Sequence, residues 1–223
     1  MPEILIYGPI GMGYGITAEE VIEQLADASG ADVLVWINSG GGSFSEGPAI
    51  YNALAGYSGT INTEVDGIAY SMASLILQAG KTRRMAANSV LMVHGSQYSA
   101  EGSADEMRKT ADMMDVHTSA MITAFTARGI SEDTVKGWLT DGEDHYFTAE
   151  QAMEAGLIDE ISAPIDMAAA VQHIPTNIHL PQSIAAYRNP EEEIPMPENK
   201  APEAKKPETQ APVIIASDGV NID

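Results

Sequence analysis

An almost unbroken apolar run, ADVLVWINS at residues 31–39, is the segment that most constrains the fold of this chain. A strand with one face in water alternates apolar and polar residues, whereas this run gives apolar side chains to both faces. Such a strand needs cover on both sides, as helices cover the central strands of a parallel sheet. The run therefore favours an α/β domain.

Strand-like and helix-like segments alternate on either side of this run. The strand-like segments are EILIYG at 3–8, INTEVDGIAY at 61–70, SVLMVHG at 89–95 and LIDEI at 157–161. The helix-like segments are AEEVIEQLADA at 18–28, PAIYNALAGY at 48–57, SMASLILQAG at 71–80, a long one at about 103–128, one after Ser131, and AEQAMEA at 149–155. This order predicts helices packed over a largely parallel sheet.

Capping boxes mark three of these helix starts, because a Ser or Thr is followed three residues later by Glu or Gln. They are Thr17 with Glu20, Ser103 with Glu106, and Thr148 with Gln151. The first helix has apolar residues at Val21, Ile22 and Leu25. Gly156 is expected to end the last helix.

Composition limits the function classes. The chain has 223 residues, 44% of them hydrophobic, which is enough for one sizeable core. Its formal net charge of −21 argues against nucleic acid or an anionic membrane as a partner, because both bind basic surfaces. Cysteine is absent, which excludes disulfides and cysteine-ligated metals. The first residues lack the basic region of a signal peptide, so we expect a cytoplasmic protein.

The composition divides the chain into three parts. We expect a globular domain at residues 1–165, an extension of the domain at 166–189 whose structure the pattern leaves open, and a tail at 190–223. Proline, acidic residues and lysine interleave in the tail, a composition typical of disorder. A solvated spacer is the simplest interpretation of the tail, and a docking peptide built on residues 213–215 is the alternative.

Two glycine-rich segments invite a test for nucleotide binding. Gly42 and Gly47 have the spacing of a phosphate-binding loop, but Pro48 and Ala49 stand where that loop needs Lys and Ser or Thr. GMGYGIT at 11–17 lacks the third glycine of the dinucleotide fingerprint. Nucleotide binding is therefore disfavoured. The glycines after the buried strand could instead turn backbone N–H groups toward a ligand, or form a plain turn.

Ser71 lies at a strand-to-helix corner and has two interpretations. It could cap the helix through its hydroxyl, which the local sequence favours, or it could be a nucleophile. A nucleophile would need a histidine base and an acid that orients the base. His94 ends an apolar strand at a sheet edge, where ligands commonly bind in α/β folds, whereas His117 within the long helix fits a packing or surface role. His145 follows Asp144, and neighbours on an extended segment point to opposite faces.

Four motifs in one order give these residues a context. They are INSGGG, GIAYSMASLILQAG, NSVLMVHG and DHYFTAEQAMEAGLID. Over residues 3–162 the chain resembles the Clp-type (ClpP) serine peptidases, whose corresponding patterns are INSPGG, ASM with the nucleophile, MIHQP with the base, and DRFLSAxEAxxYGLVD with the acid. The resemblance implies the ClpP/crotonase-like spiral of β-β-α units with a protruding long helix.

The resemblance also carries roles onto individual residues. It implies Ser71 as nucleophile, His94 as base, Asp144 as the orienting acid, Gly41 and Met72 as the oxyanion amides, and Gly42 and Ser43 as the substrate-binding edge. No metal and no organic cofactor is implied. The expected activity is that of a serine endopeptidase acting on protein or peptide substrates, in homo-oligomeric rings.

Several residues depart from the family pattern, and these departures indicate a subfamily. Gly40 replaces a proline, Gly95 and Ser96 replace Gln–Pro, and His145–Tyr146 stand where Arg–Phe is common. Together with the divergent long helix and the tail, they resemble the ClpP-related head maturation proteases of tailed phages and prophages. That subfamily implies capsid or scaffold proteins as substrates, and the host cytoplasm or the prohead as the location.

Three alternatives stay open at this point. The first is general protein degradation together with an ATP-dependent unfoldase. The second is a crotonase-like enzyme that binds acyl-CoA and would not need Ser71, His94 and Asp144 together. The third is an inactive subunit that retains the fold for assembly.

Overall fold

Strands and helices alternate along the residues that the computed structural model describes, which are 1–11 and 13–162. The strands are β1 (Glu3–Tyr7), β2 (Val33–Ser39), β3 (Ile61–Tyr70), β4 (Thr82–Ala86), β5 (Val90–Val93), β6 (His145–Thr148) and β7 (Glu160–Ser162). The helices are α1 (Ala18–Asp27), α2 (Gly47–Ala55), α3 (Met72–Leu77), α4 (Ala104–Thr126), α5 (Glu132–Thr140) and α6 (Ala149–Glu154). The predicted extension at 166–189 and tail at 190–223 lie outside the described residues.

The sheet is parallel along most of its width, in the order β1-β2-β3-β4-β7. The long strand β3 has two partners on one side: its first half pairs with β4 and its last three residues pair in parallel with β5. Strand β6 then adds antiparallel to β5. The predicted α/β fold class is confirmed. The split pairing of β3 brings β5 and β6 to the end of β3, where Ser71 follows.

The cover of β2 is less even than its apolar sequence suggests. Val33, Val35 and Ile37 on one face are completely buried. On the other face, Leu34 is buried, while Trp36 is partly exposed and Asn38 is exposed. The expectation of full cover on both faces is therefore wrong at the C-terminal end of the second face.

All three predicted capping boxes are present. At Thr17, Ser103 and Thr148, each hydroxyl accepts a hydrogen bond from the backbone N–H three residues later, and the side chain of that later residue accepts one from the capping residue. In α1, Val21 and Leu25 are buried, whereas Ile22 is 52% exposed. The reason is that residues four apart share a helix face, and Ile22 lies about 100° away from Val21.

Helix α4 is 23 residues long and buries only its C-terminal end. Met121, Ala124 and Phe125 are in the core, while Val116 is 67% exposed. Contacts with other elements begin near the middle of the helix, and residues 104–113 are exposed apart from the partly buried Thr110. The sequence predicted such a helix at about 103–128.

Two strands escaped prediction. Strand β4 has the sequence TRRMA, and its Arg83 is buried because it forms a 2.6 Å ion pair with Asp159 and donates to Gln78 and to the Gly156 carbonyl. A charged residue breaks the apolar pattern that signals a buried strand. Strand β6 has the sequence HYFT and none of its residues is fully buried, so it lacks the apolar run that marked the predicted strands.

Candidate active site

Ser71 occupies a strained corner between β3 and α3. Its backbone has φ 54° and ψ −120°, a region that residues with a side chain rarely adopt. Hydrogen bonds on both sides hold it there: its N–H donates to the Met92 carbonyl at 2.9 Å, and its carbonyl accepts from Ser74 Oγ at 2.6 Å. The Ser71 side chain makes no capping hydrogen bond. The capping interpretation, which the local sequence favoured, is therefore wrong.

His94 meets Ser71 because β5 lies beside the end of β3. Tyr70 and Met92 are paired in that ladder, so the residues that follow the two strands emerge at the same edge of the sheet. Ser71 Oγ lies 2.6 Å from His94 Nε2, a distance at which the hydroxyl can donate a hydrogen bond to the ring. The His94 side chain is only 13% exposed, which shields this contact from water.

Asp144 approaches the other nitrogen of the same imidazole. Strand β6 runs antiparallel to β5, with His145 paired to Val93, so Asp144 lies next to His94. Asp144 Oδ1 is 3.2 Å from His94 Nδ1, but the ring N–H is not aligned for a hydrogen bond. The Asp144 side chain is 43% exposed. His145 takes no part in this contact, and its Nε2 lies 3.0 Å from Asp141.

The glycines after β2 come close to Ser71, but they are not equivalent. The Gly41 N–H donates to Ser39 Oγ at 3.1 Å, so it is not free to bind an oxyanion. A Cβ at Gly41 would lie 2.8 Å from Ser71 Cβ, so the absence of a side chain there is required for packing. Gly41 as an oxyanion donor stays a prediction, which this hydrogen bond to a serine two residues earlier disfavours.

Gly42 is better placed than Gly41 to donate to a substrate oxygen. It lines a cavity of about 470 Å³ together with Ser71 and Met72. The backbone on either side of it is fixed, because the Ile10 N–H donates to the Gly41 carbonyl and the Ser43 N–H donates to the Ile10 carbonyl. Within the described part of the chain, neither the Gly42 N–H nor the Met72 N–H has a hydrogen-bond acceptor.

Ser43 also lines this cavity, which we call the catalytic cavity, but its backbone is already hydrogen-bonded. Its N–H donates to Ile10, and its carbonyl accepts from Glu46 and Gly47. Of the two residues predicted as the substrate-binding edge, only Gly42 keeps its N–H available. Residues 95–98, which belong to no strand or helix, also line this cavity.

Two apolar residues that line the catalytic cavity lie outside the four sequence motifs. Phe44 and Met121 line it from the loop after β2 and from α4. Their positions relative to Ser71 depend on tertiary packing, so no local pattern could have identified them.

Other site types were sought in the same part of the chain. Among residues 1–11 and 13–162, no three His, Asp or Glu side chains lie close enough together to hold a metal ion. None of the helices in these ranges combines the length and the apolar character that crossing a bilayer requires.

Comparisons with known proteins agree with this geometry. A family model described as Clp protease matches residues 3–164. The ATP-dependent Clp protease proteolytic subunit of Ligilactobacillus salivarius (strain UCC118) is 36% identical over 150 residues, which are 65% of this chain and 76% of that protein. The proteins of the same name from Bacteroides fragilis, strains ATCC 25285 and YCH46, are each 34% identical over 135 residues. That alignment covers 59% of this chain and 64% and 60% of theirs, less than two thirds.

Proposed function

Because this chain belongs to the Clp protease family of serine-type peptidases, we propose that it cleaves peptide bonds within protein chains through Ser71, His94 and Asp144. The observation that carries the proposal is the 2.6 Å contact between Ser71 Oγ and His94 Nε2. The backbone of this serine is strained, and its side chain does not cap the helix. Strain of this kind persists where the surrounding structure maintains it, and it is common at functional sites.

The proposed reaction is acyl transfer. His94 Nε2 takes the proton from Ser71 Oγ as the oxygen attacks the peptide carbonyl, and then gives it to the leaving amine. Asp144 keeps the other ring proton on Nδ1 and stabilises the charged imidazolium. Water, activated by His94 in the same way, then hydrolyses the acyl group from Ser71. The loose His94–Asp144 contact fits a site that tightens when substrate binds.

The oxyanion would be bound by the N–H groups of Gly42 and Met72, with Gly42 in the role that the family resemblance implied for Gly41. Each such donor typically lowers the barrier by about 3 kcal/mol. The substrate backbone would lie extended along Gly42, whose carbonyl oxygen would accept a main-chain hydrogen bond while its N–H binds the oxyanion, so affinity would depend little on side chains.

Two assays, covalent labelling of Ser71 and hydrolysis of a protein substrate, distinguish this proposal from a crotonase-like enzyme and from an inactive assembly subunit. A fluorophosphonate probe should modify Ser71, and Ser71→Ala should lose both labelling and cleavage of a casein-type protein substrate. A crotonase-like enzyme would bind acyl-CoA and remain unlabelled. An assembly subunit would form its normal particle with Ser71→Ala and cleave nothing in either form.

For the biological role, we propose processing of capsid or scaffold proteins during phage head maturation, in the host cytoplasm or the prohead. The departures at Gly40, Gly95–Ser96 and His145–Tyr146, together with the acidic segment at 190–223, support this role. The relatives are named as subunits of ATP-dependent proteases, which favours degradation with an unfoldase as the second candidate. The genes on either side of its own gene separate the two roles: portal and major capsid genes would support head maturation, and an unfoldase gene would support degradation.

We also propose that the protein forms homo-oligomeric rings. The support is α4, which exposes the apolar side chains of Val116, Met107 and Met113. Methionine-rich faces adapt readily to a partner surface. Sedimentation at micromolar concentration should show a multiple of the 23.6 kDa chain, and a persistent monomer would contradict the proposal.

A further inference from the structure

A second cavity lies behind the catalytic cavity, and the two share a wall. The second cavity, which we call the helix cavity, has a volume of about 200 Å³ and lies between α2 and α4. Its lining is largely apolar and includes Leu75, Ala120 and Ala124. Phe44 and Met121 line both cavities, so these two side chains form the partition between them.

The partition is held by a residue that the mechanism does not use. The His117 ring stacks on the Phe44 ring, with 3.7 Å between the ring centroids and 7° between the planes. The same His117 ring lies 5.7 Å from the Tyr98 ring, which also lines the catalytic cavity. His117 precedes Met121 by one helical turn, so α4 presents both residues on one face. Helix α4 thus fixes one partition residue directly and the other through the stack.

The partition determines how deep a substrate side chain can reach. The catalytic cavity adjoins Ser71 and the N–H of Met72, and its apolar lining of Phe44, Met72 and Met121 suits an apolar side chain. With Phe44 in place, that side chain stops at the shared wall. Without Phe44, the space would continue into the helix cavity.

We propose that Phe44, positioned by His117, is the specificity-determining residue that limits the size of the substrate side chain accepted beside Ser71. The inference rests on the proposed peptidase function and adds the residue that sets how deep the side chain before the cleaved bond can enter. His117 acts through Phe44 and is a positioning residue.

The test compares two fluorogenic peptides that differ only in the residue before the cleaved bond, leucine in one and 2-naphthylalanine in the other. The measured quantity is the ratio of kcat/KM for naphthylalanine to that for leucine, in the full-length protein. Phe44→Ala should raise this ratio about tenfold or more, the usual scale for added apolar contacts in a pocket. His117→Ala should raise it by a smaller factor, and His117→Phe should keep the wild-type ratio because the stack is retained.

A double variant provides the matched control. Ala120→Leu fills the helix cavity from an exposed position on α4, so Phe44→Ala with Ala120→Leu should lose the gain seen with Phe44→Ala alone. An unchanged or lower ratio in Phe44→Ala and His117→Ala would overturn the inference. If Phe44→Ala does not fold, Phe44→Leu and His117→Ala decide the outcome by the same ratio.

Failure of the peptidase function itself would look different. In that case no variant would cleave either peptide, and the wild-type protein would not be labelled at Ser71 by a fluorophosphonate. Labelling of the wild-type protein together with an unchanged ratio in the variants would overturn only the inference about Phe44.

Discussion

The strained backbone of Ser71 predicts an unusual order of stabilities among variants at that position. With φ 54° and ψ −120°, Ser71 adopts a conformation that costs a residue with a side chain about 1–3 kcal/mol and glycine almost nothing. Ser71→Gly and Ser71→Ala lose the same hydrogen bond to His94, so that loss cancels when the two are compared.

The difference between the two variants follows from two opposing effects. Glycine relieves the strain, but its greater freedom in the unfolded chain costs about 0.5–1 kcal/mol. Ser71→Gly should therefore be about 1 kcal/mol more stable than Ser71→Ala. For a domain of this size, that difference corresponds to a Tm about 2–4 °C higher.

Thermal unfolding followed by circular dichroism measures this difference, with both variants at the same protein concentration because assembly would shift Tm. Both variants should be inactive, so function cannot bias the comparison. A Tm for Ser71→Gly equal to or below that of Ser71→Ala would refute the strained-corner interpretation.

Three further predictions address the orienting acid, an ion pair and a glycine. Asp144→Asn should lower kcat on the order of 10³–10⁴-fold with a smaller change in KM, measured by peptide hydrolysis, and an effect under tenfold would remove Asp144 from the mechanism. Side-chain hydrogen bonds from Arg83 on β4 hold the pKa of Asp159 below its ordinary value of 3.8. The ion pair therefore stabilises the folded state fully above pH 3.8, and this stabilisation is lost as the pH falls through the lowered pKa. Urea unfolding should accordingly show a stability gap between wild type and Asp159→Asn that is largest near neutral pH and closes in acid, and a gap independent of pH would contradict this linkage. Gly41→Ala should slow labelling of Ser71 by at least about a hundredfold, because the new Cβ would displace the nucleophile. Gly40→Ala is the control and should label normally, since no atom lies within 4 Å of a Cβ added at Gly40. Equal labelling rates in the two variants would contradict the packing at Gly41.

Features encoded in short stretches of sequence were predicted well. The capping boxes at Thr17, Ser103 and Thr148 form because the two hydrogen bonds join residues three apart, so no distant contact is needed. The strand–helix alternation was similarly visible, since each segment buries its own apolar face. The order of the four motifs identified the family although each motif alone was ambiguous.

Features that depend on distant partners were missed. Strand β4 was not predicted because Arg83 is tolerated there only through Asp159, a residue far along the chain. The sequence around Ser71 favoured a helix cap, since nothing local indicates that hydrogen bonds to Met92 and from Ser74 hold it at positive φ. The family resemblance implied Gly41 as an oxyanion donor, and the sequence does not show that Ser39 accepts its N–H.

Intact-protein mass spectrometry after treatment with a fluorophosphonate, followed by peptide mapping, tests most directly whether Ser71 and His94 form a working nucleophile and base. The geometry predicts a single adduct on Ser71 in the folded full-length protein, and its loss in His94→Ala with the fold intact. Peptide cleavage by a protein that carries no adduct, or carries its adduct on a different serine, would contradict the assignment of Ser71 as the nucleophile.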